Sequence, residues 1–82
     1  MKELLEFIVT SLADDKEAVS VSVTDNGDTL DCLILVSAAD IGKIIGMNGK
    51  IAVSIRTLAR AAARKNNQKV NIKIDKIEKE EE

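Results

Sequence analysis

The chain has 82 residues, of which 45% are apolar and 32% charged, and its formal net charge is −2. This length suits one domain with a modest core, and no segment approaches the ~20 apolar residues of a membrane span. Because the chain has one cysteine and no histidine, we expect no internal disulfide and no metal site, and we expect no cofactor. We also do not expect an enzyme, since the sequence offers no pair of a nucleophile and a base.

The N-terminal segment predicts an amphipathic helix over residues 2–13, because apolar residues recur there at helical spacing. These residues are Leu4, Leu5, Ile8 and Leu12. Phe7 is the only aromatic residue of the chain and lies beside this stripe, so we expect it in the core. The first three residues lack the layout of a signal peptide, and we expect a cytoplasmic protein.

Two strands are predicted next. From Val19 to Thr24, valine alternates with serine and threonine, which is typical of a half-buried strand. Asn26-Gly27 then favours a hairpin with a type I′ turn, which needs a positive φ at both residues. Residues 30–36 become apolar on both faces and predict the central strand, in which Cys32 is a small buried hydrophobe.

Two helices follow. Ser37 is predicted to cap a short helix over residues 38–45, because Asp40 stands where a capping box places its acidic residue. A long helix over residues 50–65 comes next. Its predicted apolar face is formed by Ile51, Ile55, Leu58 and Ala62 and is widened by Ala52 and Ala59.

Residues 70–74 alternate again and predict the last strand. We place a single domain at residues 1–76 and a charged, frayed tail at residues 77–82. The order helix-strand-strand-helix-helix-strand predicts an α+β fold, with a three-stranded mixed sheet covered on one face by three helices. The helical crossover makes the second and third strands parallel.

Charge is distributed unevenly along the chain. Residues 1–40 carry two lysines against nine acidic residues, a net charge of −7, whereas residues 41–74 carry eight basic residues and no acidic one. The last eight residues have a net charge of −3. This separation favours a face that binds a polyanion, unless folding interleaves the blocks and neutralises them.

A Gly-x-x-Gly sequence, Gly46-Met47-Asn48-Gly49, separates the two helices of the basic segment. Walker A and dinucleotide-binding loops are excluded, because Ile44 stands where each needs glycine. A glycine turn that opens a helix presents backbone N–H groups and the positive helix end, which suits phosphate. The alternative is a simple turn between two helices.

The segment Ile44-Ile45-Gly46-Met47-Asn48-Gly49-Lys50, with the alanine-rich helix behind it, resembles a KH domain. The order of elements is similar to the type II KH fold, and the length is similar to bacterial stand-alone KH proteins of the KhpA type. The resemblance covers nearly the whole chain. It implies a cytoplasmic, non-membrane protein that binds single-stranded RNA, acts as an RNA chaperone, and forms a homodimer or a heterodimer with a larger Jag-type KH protein. It also implies a link to cell shape and to cell wall biogenesis and degradation.

The resemblance also implies a site that grips about four nucleotides. We expect the N–H groups of Gly46, Met47, Asn48, Gly49 and Lys50 to meet phosphates, with Lys43 and Lys50 as flanking charges. The bases would enter an aliphatic groove walled by the two helices and the last strand. The candidate groove residues are Ile41, Ile44 and Ile45, and we expect one of the last two in the core and the other in the groove.

Three arginines at helical spacing lie opposite the predicted apolar face of the long helix. Arg56, Arg60 and Arg64 form this stripe. Two interpretations stay open: a solvated helix surface, or a contact for RNA or for a partner protein.

Two residue choices depart from the family pattern. Met47-Asn48 brings no positive charge, where many KH loops carry Lys or Arg, and Ala52 replaces a larger aliphatic residue. We also expect no exposed aromatic residue for stacking bases. The neutral pair and the acidic pI of about 5.1 favour an alternative function, a protein–protein interaction module on a KH fold with little or no RNA binding.

Overall fold

A computed structural model describes residues 1–46 and 49–77. Its elements are α1 (Lys2–Leu12), a 3-10 turn (Lys16–Ala18), β1 (Ser20–Asp25), β2 (Thr29–Val36), α2 (Ala38–Ile45), α3 (Lys50–Arg64) and β3 (Lys69–Lys76). The predicted order of helices and strands is confirmed. The 3-10 turn between α1 and β1 was not predicted.

The three strands form one sheet in the order β1-β2-β3. β1 pairs with β2 antiparallel as a hairpin, and β2 pairs with β3 parallel. The parallel pair exists because α2 and α3 carry the chain back across the sheet before β3 begins. This arrangement confirms the α+β prediction and matches the type II order of elements.

The core lies between the helices and one face of the sheet. Its buried residues are Leu5, Val9, Val21, Leu30, Cys32, Ile34, Val36, Ile44, Ile55, Ala59 and Ala63. Burial raises the pKa of the Cys32 thiol, so the side chain stays neutral. Cys32 is therefore the small buried hydrophobe that the sequence predicts.

The predictions that Phe7 belongs to the core and that no aromatic residue is exposed are both wrong, because the Phe7 side chain is 72% exposed. Helix α1 buries Leu5 and Val9, and a residue two positions from Leu5 points to the opposite side of a helix. Likewise, Leu58 is 50% exposed. Helix α3 buries Ala52, Ala59 and Ala63, and Leu58 lies outside that buried stripe.

The hairpin connection also differs from the predicted type I′ turn. Gly27 has a φ of +90°, but Asn26 does not adopt positive φ. The carboxylate of Asp25 accepts a hydrogen bond from the Gly27 N–H at 2.8 Å, and the Asn26 N–H donates to the Thr29 carbonyl at 2.8 Å. The hydrogen bond to the Asp25 carboxylate favours a loop longer than the predicted two-residue turn, in which Gly27 adopts the left-handed conformation.

The loop after α3 is bound to the tip of this hairpin. Asn67 has a φ of 58°, as expected for a helix-ending asparagine. The side-chain amide of Gln68 donates to the Asp25 carboxylate at 3.1 Å and to the Gly27 carbonyl at 2.8 Å. The Lys69 N–H donates to the Asp28 carbonyl at 2.8 Å. We call these contacts the hairpin–loop tie.

The end of β3 stays attached to the sheet, because the Ile77 N–H donates to the Val36 carbonyl at 2.8 Å. The other residues of the predicted tail, 78–82, lie outside the described residues, and the domain boundary at residue 76 stays a prediction. Across the described ranges, no helix has the length and apolar character needed to cross a membrane. The same ranges hold no cluster of three or more metal-ligating side chains.

Candidate nucleic-acid interface

A tight turn joins α2 to α3. The Gly46 N–H donates to the Gly42 carbonyl at 2.8 Å and ends α2, and the Gly49 N–H donates to the Gly46 carbonyl at 3.0 Å. Both glycines are half-buried and reach the surface. The predicted contacts Met47 and Asn48 lie between them, outside the described residues.

Each glycine has a separate conformational reason. A Cβ atom at Gly46 would collide with the Gly42 carbonyl oxygen. Gly49 has a φ of +71° and immediately precedes α3, a left-handed conformation that costs other residues about 1–2 kcal/mol. The two glycines therefore close the turn whether or not a ligand binds.

These hydrogen bonds change the expected phosphate contacts. The Gly46 N–H donates to the Gly42 carbonyl in α2 and the Gly49 N–H donates to the Gly46 carbonyl, so neither group is free to meet a phosphate. The N–H groups in the first turn of a helix have no intrahelical partner, and the helix dipole adds positive charge there. The start of α3, from Lys50 to Ala52, is thus the part of the backbone suited to an anion.

The three candidate groove isoleucines occupy different environments. Ile44 is fully buried, Ile41 is partly buried against the core, and Ile45 is 50% exposed. One of the adjacent pair is therefore core and the other is surface, as the sequence predicts. Ile45 offers apolar surface directly before Gly46.

The two candidate flanking lysines differ in their electrostatic setting. Lys50 is exposed, whereas the Lys43 ammonium group lies 3.0 Å from the Asp14 carboxylate. The sequence analysis missed this ion pair because the two residues belong to distant segments. Lys43 can meet a phosphate only in competition with Asp14.

Asp40 brings that distant segment to the start of α2. It is buried, and its two carboxylate oxygens accept the N–H groups of Asp14 at 3.1 Å and Asp15 at 3.0 Å. The bonds from Asp15 and Asp14 hold the pKa of Asp40 below its ordinary value. Ser37 caps the Asp40 N–H at 3.2 Å and donates its hydroxyl to the carboxylate at 3.1 Å. Of the two hydrogen bonds of the predicted capping box, only the one from the Asp40 N–H to the Ser37 hydroxyl forms. The Asp40 carboxylate instead accepts the N–H groups of the segment that follows α1.

The arginine stripe of α3 is exposed and borders the edge of the sheet. Arg56 and Arg60 line a cleft of about 200 Å³ with β3 residues 70–72, and Arg60 and Arg64 line a second cleft of about 320 Å³ with residues 68–71. β3 is an edge strand. The stripe therefore lies along the free edge of the sheet.

Comparisons with known proteins agree on one family. A sequence model described as "KhpA/KhpB, KH domain" matches residues 2–74. The protein named RNA-binding protein KhpA in Borreliella burgdorferi is 44% identical over 72 residues, which are 88% of each chain. The same-named protein of Clostridium perfringens is 45% identical over 74 residues, covering 90% of this chain and 99% of the relative.

A more distant relative extends the comparison. The RNA-binding protein KhpA of Chlamydia trachomatis is 39% identical over 74 residues, covering 90% of this chain and 95% of the relative. No solved structure matches the chain. The match to the family model and the extent of these identities lead to one conclusion: the chain belongs to the KhpA/KhpB family of KH domain proteins.

Proposed function

We propose that this protein binds single-stranded RNA at the turn between α2 and α3. The observation that carries the proposal is the turn itself. Its two glycines reach the surface, and α3 begins directly after them at the exposed Lys50. The surrounding segment, residues 41–74, has eight basic and no acidic residues. The relatives described above bear the name RNA-binding protein, which supports a binding role rather than catalysis.

The proposed mechanism divides the RNA between two kinds of contact. Phosphates approach the N–H groups at the start of α3 and the Lys50 ammonium group, and Lys43 joins them when it leaves Asp14. Bases rest on aliphatic surface, with Ile45 nearest the turn and Ile41 partly exposed beside it. Phe7, the only aromatic residue, belongs to α1, so stacking is not part of the mechanism.

This site predicts modest affinity. With two or three charges engaged and ~0.7 per charge on single strands, the logarithm of the binding constant should fall against the logarithm of salt concentration with a slope of roughly −1.4 to −2.1. Modest affinity suits a protein that binds and releases many strands. We propose an RNA chaperone of the cytoplasm on this basis, and the link to cell shape and cell wall turnover belongs to the same proposal.

A double substitution in the loop tests RNA binding. Met47→Asp with Asn48→Asp places two carboxylates where a phosphate should lie, so retention of a short single-stranded RNA in a gel-shift assay should be lost. The neutral pair Met47→Gln with Asn48→Gln is the matched control and should keep most binding. Far-UV circular dichroism and the melting temperature should stay close to wild type in both variants.

The outcome also decides between the two candidate functions. If the double aspartate variant binds RNA as well as wild type does, the loop is not the site. If wild type itself binds no RNA at low salt, the protein–protein interaction module remains.

We further propose that the protein forms a homodimer. Helices α1 and α3 together expose large apolar side chains, which we call the α1–α3 surface: Leu4, Phe7, Leu12 and Leu58. Between the helices lies a cleft of about 230 Å³ that Ile8, Leu12 and Leu58 help to line. Exposed apolar side chains beside such a cleft favour a protein interface.

A second copy of this chain suits the α1–α3 surface. Ala61 and Ala62 lie next to Leu58 on α3, and small residues allow two helices to approach closely. Such a contact is self-complementary around a two-fold axis, the commonest symmetry of homo-oligomers. A Jag-type KH partner would use the same surface, and a mass measurement on the purified chain distinguishes the two.

A further inference from the structure

Phe7 is the most exposed of the large apolar side chains of the α1–α3 surface. Its exposed fraction is 72%, against 50% for Leu58, and it is the only aromatic residue of the chain. An aromatic ring has a large apolar area to remove from water, and aromatic residues are enriched at protein interfaces. Phe7 is therefore the side chain of this surface that has most area to bury against a partner.

The cleft between α1 and α3 is the apolar recess of the same surface. Aliphatic side chains of both helices line it, together with Lys50 and Ser54. Its volume is about 230 Å³, below the ~300–1,000 Å³ of small-molecule pockets. An apolar cavity of about 150 Å³ already holds benzene. The cleft therefore has room for one aromatic ring and is small for a free ligand.

Phe7 and the cleft are neighbours on α1, because Ile8, the next residue, lines the cleft. A two-fold rotation about an axis that passes between them, perpendicular to the surface, exchanges their positions. Phe7 of one copy then lies over the cleft of the second copy, and the partner's Phe7 lies over the first cleft. Such an isologous contact needs no surface other than this one.

The exposed charges beside the two features have opposite signs. Glu3 precedes Phe7 by one helical turn and therefore lies on the same side of α1. Lys50 is exposed at the end of the cleft that adjoins the Gly-x-x-Gly turn. An ammonium group attracts both a carboxylate and the face of an aromatic ring. The charges therefore favour a second copy of this chain as the occupant of the cleft.

We propose that Phe7 of one copy fills the cleft between α1 and α3 of a second copy, and that this reciprocal insertion anchors the homodimer. The inference rests on the homodimer of the proposed function and names the side chain that holds it together. An aromatic side chain buried in a pocket of an interface contributes far more to affinity than the contacts around it. Phe7 is thus exposed in the monomer and buried in the dimer.

A fluorescent reporter tests the insertion directly. The chain has no tryptophan, so Phe7→Trp places a single indole at the proposed anchor. The purified protein is diluted without RNA while its emission spectrum is recorded. The emission maximum should lie at shorter wavelength at high concentration, where the cleft buries the indole, and should shift to longer wavelength on dilution. Adding Ser54→Leu, which fills the cleft, should abolish this shift.

Sedimentation velocity measures the strength of association. Phe7→Gln and Ser54→Leu should each weaken the dimer at least about tenfold, as expected for the anchor of an interface. The matched control is Val53→Gln. Val53 is also an exposed apolar residue, but it lies one helical turn before Arg56, on the side of α3 away from the cleft. The control should dissociate like wild type, and all three variants should keep the wild-type melting temperature.

Mixing the two weakened variants tests whether the insertion is reciprocal. Phe7→Gln keeps an open cleft, and Ser54→Leu keeps an intact Phe7. A dimer formed by one copy of each therefore retains one of the two insertions, whereas each variant alone retains none. The mixture should have a higher weight-average sedimentation coefficient than either variant at the same total concentration.

The results separate the anchor from the homodimer. Wild type that stays monomeric at high concentration overturns the homodimer, and the anchor with it. A dimer that Leu58→Gln dissociates but Phe7→Gln and Ser54→Leu leave intact keeps the homodimer and rejects Phe7 as its anchor. Emission of Phe7→Trp that does not change with concentration, or a mixture that gains no mass over its components, also rejects the insertion.

Discussion

At the scale of single residues, the carboxylate of Asp40 joins two segments that are far apart in sequence. It accepts hydrogen bonds from the backbone of Asp14 and Asp15 and from the Ser37 hydroxyl. The segment that follows α1 is thereby fixed against the first turn of α2. The position of α2, and with it that of Ile45 and Gly46, depends on this carboxylate.

Asp40→Asn should lower the melting temperature by several degrees, because an amide has one acceptor oxygen for two backbone donors and places its own N–H groups against them. Stability should also lose part of its pH dependence. Since the folded pKa of Asp40 is lowered from 3.8, its stabilisation is present above that value and is lost as the pH falls through the lower, folded value. Thermal melts between neutral and acid pH measure both effects.

The control for Asp40→Asn is Asp15→Asn, which changes an exposed carboxylate and leaves the backbone donor in place. This variant should melt close to wild type throughout. If the difference in melting temperature between wild type and Asp40→Asn did not shrink in acid, the ionised Asp40 carboxylate would not be the form that stabilises the fold.

Asp14→Asn tests the ion pair with Lys43. Both side chains are substantially exposed, so the loss should cost at most ~1 kcal/mol of stability. Releasing the Lys43 ammonium group should increase affinity for a short single-stranded RNA by about two- to threefold, as expected for a free energy below ~1 kcal/mol. Asp15→Asn, which makes the same charge change next to it, should raise affinity less. Equal effects of the two variants would mean that Lys43 does not contact RNA.

At the scale of elements, α2 contains Gly42 and is followed directly by Gly46, and these two glycines have opposite requirements. Gly42 has open space where a Cβ atom would lie, whereas a Cβ atom at Gly46 would meet the backbone of the preceding turn. The first glycine is therefore replaceable, and the second allows the chain to leave the helix.

Gly42→Ala should stabilise the protein by about 0.4–1 kcal/mol, because alanine loses less backbone freedom on folding. Gly46→Ala should destabilise it by at least ~1 kcal/mol, because the Gly42 carbonyl oxygen must move. Urea unfolding of both variants measures the two free energies. If both variants raised, or both lowered, the free energy of unfolding, the close approach of Gly46 to the Gly42 carbonyl would be contradicted.

The elements could be predicted from the sequence where one periodicity dominated. Alternation in β1 and β3, and the glycine pair after α2, indicated the sheet and the turn correctly. Which face of α1 and of α3 is buried was harder to predict, because both helices have more apolar residues than one buried face accommodates. For that reason Phe7 was predicted to lie in the core and Leu58 on the apolar face of α3, and both are exposed.

The candidate site was predicted less completely than the fold. The adjacent isoleucines separated as expected, but the Lys43–Asp14 pair and the role of Asp40 join segments more than 20 residues apart. No local pattern reports such contacts. The arginine stripe was visible in the sequence, whereas its position beside β3 depended on how α3 packs.

At the scale of the whole molecule, large exposed apolar residues occur in two regions of the described part of the chain. Ile45 adjoins the proposed RNA site, and Leu58 belongs to the α1–α3 surface, yet both side chains are 50% exposed. The equal exposure provides a matched pair of positions for testing self-association.

Leu58→Gln should shift the protein from dimer toward monomer, whereas Ile45→Gln should leave the dimer intact. The reason is that a central apolar side chain in an interface contributes far more than one outside it. Sedimentation velocity over a range of concentrations, without RNA, measures the mass. A wild-type mass that stays monomeric at high concentration would reject the homodimer and leave a Jag-type partner to be tested.

The hairpin–loop tie has a consequence for local opening. Gln68 and Lys69 bind the hairpin tip at the end of the sheet from which β3 starts, so neither segment can leave without breaking bonds to the other. Amide protons on both sides should then exchange with solvent in one shared event rather than independently. The end of the arginine stripe near Arg64 would keep its shape until that whole corner of the molecule unfolds.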